Sequence, residues 1–236
     1  MDFLDLTLPT LAENIALDEA LLLACEEGSG QPVLRVWQWD RPAVVLGAAG
    51  VLADEVYQEA CASDHVPIAR RSSGGGTVLL GPGCLLYSLV MSYDQAPELT
   101  QIGASYRHIL NRICTFLALP ELHPAGTSDL ALGDRKVSGN AQQRKRAHLL
   151  HHGSLLYSFD AGSAERYLRM PSRQPDYRQH RAHADFLTNL PLDKVELTAR
   201  LCNAFEAATE TADWPSEQVQ KLVRSKYGLD EWTRRR

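Results

Sequence analysis

Three consecutive glycines, Gly74-Gly75-Gly76, stand between a strand-like stretch, Val66 to Arg71, and a second apolar stretch beginning at Val78. Backbone without side chains can adopt positive φ and let another group approach it closely, so this segment demands a sheet that ends in a narrow loop. The loop opens with Arg70-Arg71-Ser72-Ser73 and closes with Thr77. Two guanidinium groups beside free backbone N–H groups suit an anion, either carboxylate or phosphate. A plain surface turn would also use such glycines. The sequence contains neither the GK[ST] step of a P-loop nor the GxGxxG of a dinucleotide fold.

The rest of the chain supports a sheet with helices outside it. Glu13 to Glu27 reads as a helix, with Asn14 near its start and Gly28 past its end. Val33 to Trp39 and Ala43 to Gly47 read as strands joined at Asp40-Arg41-Pro42. Asp54 to Ala62 reads as a short helix, and Gly81-Pro82-Gly83 as a turn before the apolar run Leu85 to Met91. Glu98 to Leu119 is expected to be a long helix. Asp129 to Leu132, Lys136 to Asn140 and Leu149 to Ser158 are expected to be strands, and the remainder mostly helical. Hairpins then dominate the middle, which predicts an α/β fold with a mixed, largely antiparallel sheet.

Length and charge narrow the function classes. With 236 residues the chain is expected to form one domain, 1–236, and a net charge of −5 provides no field for nucleic acid. No apolar run is long enough to span a membrane, and Met1-Asp2-Phe3-Leu4-Asp5 has no secretory features. Five scattered cysteines without a CxxC pair fit reduced thiols, so a cytoplasmic protein is expected.

Two further segments carry chemistry. In Lys136-Val137-Ser138-Gly139-Asn140-Ala141-Gln142, a lysine on a strand precedes a small Ser-Gly step that would let a ligand lie on the backbone. Its ammonium is a point charge for a carboxylate or phosphate, unless it is simply solvated. In His151-His152-Gly153-Ser154-Leu155-Leu156 the adjacent histidines face opposite sides of a strand and cannot readily share a metal. The loop Met170 to His183, with Arg173, Arg178 and Arg181 and prolines at Pro171 and Pro175, is too polar for a core; it is either a solvated surface or a contact for an acidic partner.

In this order the segments resemble the lipoate–protein ligase A family, within the superfamily of biotin/lipoate ligases and octanoyltransferases. The match runs from Asn14-Ile15-Ala16-Leu17-Asp18-Glu19-Ala20 through Arg70 to Thr77, Gly126-Thr127-Ser128-Asp129-Leu130, Lys136 to Gln142 and His151 to Leu156, to Lys226-Tyr227-Gly228-Leu229-Asp230-Glu231-Trp232. The resemblance implies a class II aminoacyl-tRNA synthetase/biotin ligase-like domain. It implies activation of lipoate or octanoate by ATP to an acyl-adenylate, then transfer to a lysine of a lipoyl carrier domain, such as an E2 subunit or the glycine-cleavage H protein. On it Lys136 is the catalytic residue. Arg70, Arg71, Ser73, Gly74, Gly75, Gly76, Thr77, Gly83, Ser138, Gly139, Ala141, His152 and Gly153 are the substrate and nucleotide contacts, and Asp129 is a candidate Mg2+ ligand. Val78, Leu85 and Leu155 would wall an apolar acyl tunnel, where each buried methylene is worth about 0.8 kcal/mol.

Some features depart from that family. Gly81-Pro82-Gly83 looks more like an octanoyltransferase loop, which would make the enzyme an ATP-independent transferase. Yet neither position at which such enzymes carry a nucleophilic cysteine holds one here, and Cys84 reads as a small apolar residue at a strand start. The C-terminal accessory domain of larger ligases is not expected, so a separate accessory subunit could serve activation. A biotin–protein ligase lacks support because its Gly-Arg-Gly-Arg and Lys-Val-Gly-Gly segments do not occur. A non-catalytic relative that binds acylated carriers is disfavoured by the intact Lys136 and double arginine.

Overall fold

The computed structural model describes residues Met1 to Arg236. Eleven strands are formed: β1 (Asp2–Asp5), β2 (Val33–Trp37), β3 (Ala43–Leu46), β4 (Ile68–Arg70), β5 (Val78–Leu80), β6 (Cys84–Ser92), β7 (Leu122–Ala125), β8 (Asp129–Leu132), β9 (Arg135–Arg144), β10 (His148–Leu156) and β11 (Thr209–Glu210). Eight make one sheet in the order β11-β1-β2-β6-β10-β9-β8-β7, and β4-β3-β5 make a second. β1 runs parallel to β2 and β11, and β3 parallel to β4; the other pairs are antiparallel. The expected mixed, largely antiparallel α/β architecture is therefore present.

Two connections differ from the hairpins that the sequence suggests. Asp40-Arg41-Pro42 carries the chain from β2 in the large sheet to β3 in the small one, and Gly81-Pro82-Gly83 carries it back from β5 to β6. A turn signal records a reversal of direction, not which strands pair afterwards. The Asp54–Ala62 segment forms two short helices, Leu52–Glu55 and Gln58–Ser63. The long helix spans Ile102–Leu117 after a 3-10 turn at Pro97–Thr100.

Side-chain alternation divides the core into two layers. From β6 and β10, Leu86, Val90, Leu150 and Leu156 face the helix Leu11–Glu26 and the small sheet. Leu85, Tyr87, Leu89, Leu149 and Leu155 face the helices Ile102–Leu117 and Lys194–Phe205. Period-two alternation dictates this split.

The helix Leu11–Glu26 begins two residues earlier than expected, because Thr10 and Glu13 form a reciprocal capping box. Asn14 is inside it, fully buried, with its carboxamide oxygen accepting from Leu8 N–H at 2.9 Å. Its neighbour in space is Arg35 on β2, also fully buried. The Arg35 guanidinium donates to Leu6 O, Asn14 O, Asn14 Oδ1 and, at 2.7 Å, Asp18 Oδ1. A buried cation so completely bonded pins the helix to the sheet, and breaking the pair would strand a charge in the core. No helix is long and apolar enough to cross a membrane.

Candidate active site

A cavity of about 490 Å³ lies between the large sheet, the small sheet and the segment 164–187. Of the residues that the sequence singles out, it is lined by Arg71, Gly75, Gly76, Thr77, Asp129, Lys136, Ser138, Gly139, Ala141, His152 and Gly153. Arg70, Ser73, Gly74 and Gly83 do not line it.

Arg70 departs furthest from expectation. It is fully buried behind the loop, where its guanidinium donates to Gly47 O at 2.9 Å, Gly50 O at 2.7 Å and Thr233 O at 2.8 Å. With its donors spent on carbonyls it is a clamp for the loop's surroundings rather than a ligand contact. Strand alternation separates it from Arg71. Gly83 is a tight turn against the backbone of Ser158, where a Cβ would fall 2.1 Å from Ser158 C.

Arg71 shapes the glycine loop from within. It donates to Ser73 Oγ, Val45 O, Gly74 O and Gly76 O. Burial lowers its pKa to about 10, so it stays charged at neutral pH. Gly75 has φ +85°, and its carbonyl would lie 1.9 Å from any Cβ at Gly47. Thr77 donates through N–H and hydroxyl to Glu55 Oε2, a carboxylate that also lines the cavity.

Behind the loop runs a directed chain of hydrogen bonds. Asp18 Oδ2 lies 2.9 Å from His152 Nδ1, and His152 Nε2 lies 2.6 Å from Ser73 Oγ. A carboxylate only accepts, so Nδ1 carries a proton, and Nε2 shares the second hydrogen bond with the Ser73 hydroxyl. Burial works against the Asp18 charge, yet the His152 hydrogen bond and Arg35 hold its pKa below the usual value. Helix, sheet and loop are thereby connected through five residues: Arg35, Asp18, His152, Ser73 and Arg71. His151 points the other way, into the second core layer against Tyr87 and Tyr106. Burial depresses its pKa to about 3, so it is neutral.

Lys136 projects from β9 with its Nζ 2.8 Å from Asp129 Oδ1. Gly139 leaves room for it, since a Cβ there would sit 2.8 Å from that Nζ. The other Asp129 oxygen accepts from the Tyr177 hydroxyl at 2.8 Å. Burial, followed by the Asp129 carboxylate, raises the Tyr177 pKa. Asp129, the expected magnesium ligand, thus has one oxygen on the Lys136 ammonium and the other on the Tyr177 hydroxyl.

Several lining groups were not among the expected substrate and nucleotide contacts. Asn140 on β9 receives the Tyr87 hydroxyl at 2.5 Å and donates to Ser128 O at 2.8 Å. Arg178, Gln174 and His183 also line the cavity, and each keeps one buried polar atom without a partner: Arg178 Nη2, Gln174 Oε1 and His183 Nε2. Such atoms cost about 1–3 kcal/mol each when left unbonded. An anion would satisfy the Arg178 donor. The signal for Asn140 was present in the Lys136 to Gln142 segment; Arg178 was expected only as a contact for an acidic partner, and His183 ends that same loop, which has no periodicity to show a face.

The opposite arm is apolar, built from Trp37, Val78, Leu79, Leu80, Leu86, Leu156 and Phe159. Leu85 and Leu155, expected in that wall, face the other core layer, one residue out of phase. None of the five cysteines lines the cavity. Cys84 is buried at the start of β6, and burial pushes its thiol up to about 12.

A family model described as the lipoyl protein ligase A/B catalytic domain matches residues 10–199. The octanoyltransferase LipM of Carboxydothermus hydrogenoformans is 32% identical, over 94% of this chain and 93% of its own. That of Symbiobacterium thermophilum is 28% identical over 95% and 94%. Among solved structures, a lipoate-protein ligase A bound with ATP superposes with TM-score 0.84 and 22% identity, covering 99% of this chain and 98% of the other. A bi-partite lipoate protein ligase from Thermoplasma acidophilum, solved in work that includes its E2 lipoyl domain, gives 0.80 and 21%, covering 99% and 95%.

Proposed function

The chain belongs to the lipoyl protein ligase A/B catalytic-domain family, and on that premise we propose that it activates lipoate or octanoate with ATP and transfers the acyl group to a carrier-domain lysine. The observation that carries this reading is one cavity with an apolar arm, a cationic end at Lys136 and no cysteine. A thiolate relay through the protein has no candidate, because the buried Cys84 thiol stays protonated at neutral pH.

In the first step a carboxylate oxygen attacks the α-phosphorus of ATP, the bond to the β-phosphate breaks, and pyrophosphate leaves. Both partners are anionic, so fixed positive charge must offset their repulsion. Lys136 is the cation at the junction of the two arms and would hold the carboxyl oxygen. Asp129 keeps its ammonium aimed there. Arg178 supplies a donor still lacking an acceptor, suited to the phosphate side. The loop that Arg71 shapes would bring Gly75 and Gly76 against the ligand. In the second step the carrier lysine nitrogen attacks the acyl carbon, an amide bond forms and AMP departs. No step is routed through a metal; magnesium would arrive with the nucleotide. The carrier is a lipoyl domain of the E2 or H-protein type, and an accessory subunit would assist activation.

The test is to incubate the protein with a lipoyl domain and octanoate or lipoate, with and without Mg-ATP, and to weigh the carrier. A mass gain that requires ATP is expected. Lys136→Ala should remain folded and lose the gain by at least a hundred-fold, on the order of 3 kcal/mol. A normal rate in that variant would remove the assignment. The name octanoyltransferase among the relatives favours a second reading, transfer from an acyl thioester without ATP. Supplying an octanoyl thioester in place of octanoate and ATP distinguishes the two. Cys84→Ser should retain activity with either donor.

A further inference from the structure

The segment Lys226 to Thr233 grips the glycine loop on both flanks of Arg71. On one flank the Trp232 indole N–H donates to Arg70 O at 2.8 Å, and Thr233 O accepts from the Arg70 guanidinium. On the other flank the link runs through Glu19, which is buried on the helix Leu11–Glu26 beside Asp18. The Glu19 carboxylate accepts from the Lys226 ammonium at 2.7 Å, the Tyr227 hydroxyl at 2.6 Å and Gln143 Nε2 at 3.0 Å. Gln143, on β9, in turn accepts at Oε1 from the Ser72 hydroxyl. Asp18 and Glu19 thus begin parallel relays, one through His152 to Ser73 and one through Gln143 to Ser72.

Chemistry fixes the direction of the second relay. A carboxylate only accepts, so Glu19 turns the Gln143 amide nitrogen toward itself and the amide oxygen toward Ser72. Burial works against the Glu19 charge, yet the bonds from Lys226, Tyr227 and Gln143 hold its pKa below the usual value. The segment is also braced internally. A π-helical turn, Val223–Tyr227, closes with Gly228 N–H donating to Val223 O at 2.9 Å, and Lys226 Nζ lies 4.4 Å from the centroid of the Trp232 ring. The residues on either side of Arg71 therefore rest on one braced piece of chain. Arg71 itself holds Gly74 O and Gly76 O and lines the cavity. We propose that this segment and the glycine loop are one coupled unit, with Glu19 and Gln143 as positioning residues, so that filling the cavity tightens the segment and loosening the segment weakens substrate binding. The coupling rests on the acyl-transfer reading above and is reciprocal by linkage.

The test is limited digestion with trypsin, which cuts after Lys226 and Arg234, with and without octanoate and Mg-ATP, or an octanoyl thioester if that is the donor used. In the wild type, saturating substrates should slow cleavage at these positions about tenfold, an ordinary size for coupling between sites. Gln143→Leu cuts the relay but leaves Lys226 and Tyr227 on Glu19. Its cleavage without substrates should match the wild type, and the protection should shrink to about twofold, because only the Arg70 flank still connects the two parts. The KM for the acyl donor should rise about tenfold, with kcat changed much less. Ser72→Ala removes a single hydroxyl, cuts the same link from the loop side and should behave alike, which keeps the test valid if Gln143→Leu folds poorly. Substitutions that merely loosened the structure would speed cleavage with and without substrates and leave the protection ratio unchanged. Equal protection in the wild type and both variants overturns the coupling, as does a wild type that acylates its carrier without any protection. A wild type that acylates no carrier with either donor overturns the acyl-transfer reading instead.

Discussion

The carboxamide of Asn140 occupies the space that a side chain on Gly153 would need: a Cβ at Gly153 would lie 1.8 Å from Asn140 Oδ1. That amide is fixed by Tyr87, Ser128 and Ser138, so it cannot withdraw without giving up buried hydrogen bonds. Gly153→Ala should cost about 1–3 kcal/mol in denaturant unfolding and lower acylation at least tenfold. Asn140→Ala in the same chain should cost less than the sum of the two single changes, since each removes what the other collides with.

Arg70 and Arg71 are adjacent in sequence and should separate in phenotype. Arg70→Ala removes a buried guanidinium that bridges Gly47, Gly50 and Thr233, and should cost about 2–4 kcal/mol of stability. Arg71→Ala should be milder in stability and more severe in catalysis, because it relaxes the glycine loop. Chemical unfolding and acylation rates measured on both variants decide this.

The basic loop divides in the same way. Arg173 is exposed at the cavity, whereas Arg181 is held by Asp134 at 2.9 Å and Arg178 is buried under Phe186. Arg173→Ala should weaken carrier use and its salt dependence while leaving ATP–pyrophosphate exchange intact. Arg178→Ala should reduce that exchange. If both variants lose the same step, this division of roles is wrong.

Stability should fall with acid in a window set by His151. Its folded pKa is near 3 against an ordinary 6.5, so below about pH 6.5 the unfolded chain binds a proton that the folded one refuses. His183, depressed mainly by burial and then by Arg178, adds in the same direction. Asp18 and Asp64, held low, contribute stability lost only at lower pH, beneath the ordinary carboxylate range. Unfolding at pH 7.5 and pH 5 should show a clear loss in the wild type and a smaller one in His151→Gln.

The sequence already displayed the site's contiguous parts. Lys136, Gly139, Ala141 and Gly153 cluster because β9 and β10 are neighbours in an antiparallel pair, and alternation put His151 and His152 on opposite faces. What it concealed was partnership across the fold. Nothing local marks Asp18 as the carboxylate behind His152, since 134 positions separate them and the helix around Asp18 is buried on every side. Leu85 and Leu155 were a single residue out of phase with the wall, because runs apolar at every position carry no alternation from which to read a face. Arg70 and Arg71 looked equivalent for the same reason.

The clamp between Arg70 and Thr233 spans 163 positions of chain. During translation at about 5–20 residues per second, Arg70 is made roughly ten seconds or more before its last acceptor exists. Over that interval the guanidinium has Gly47 O and Gly50 O as acceptors but not Thr233 O, and the nascent glycine loop lacks that part of its backing. A chaperone or protease would then meet a candidate site that closes only once Thr233 is made.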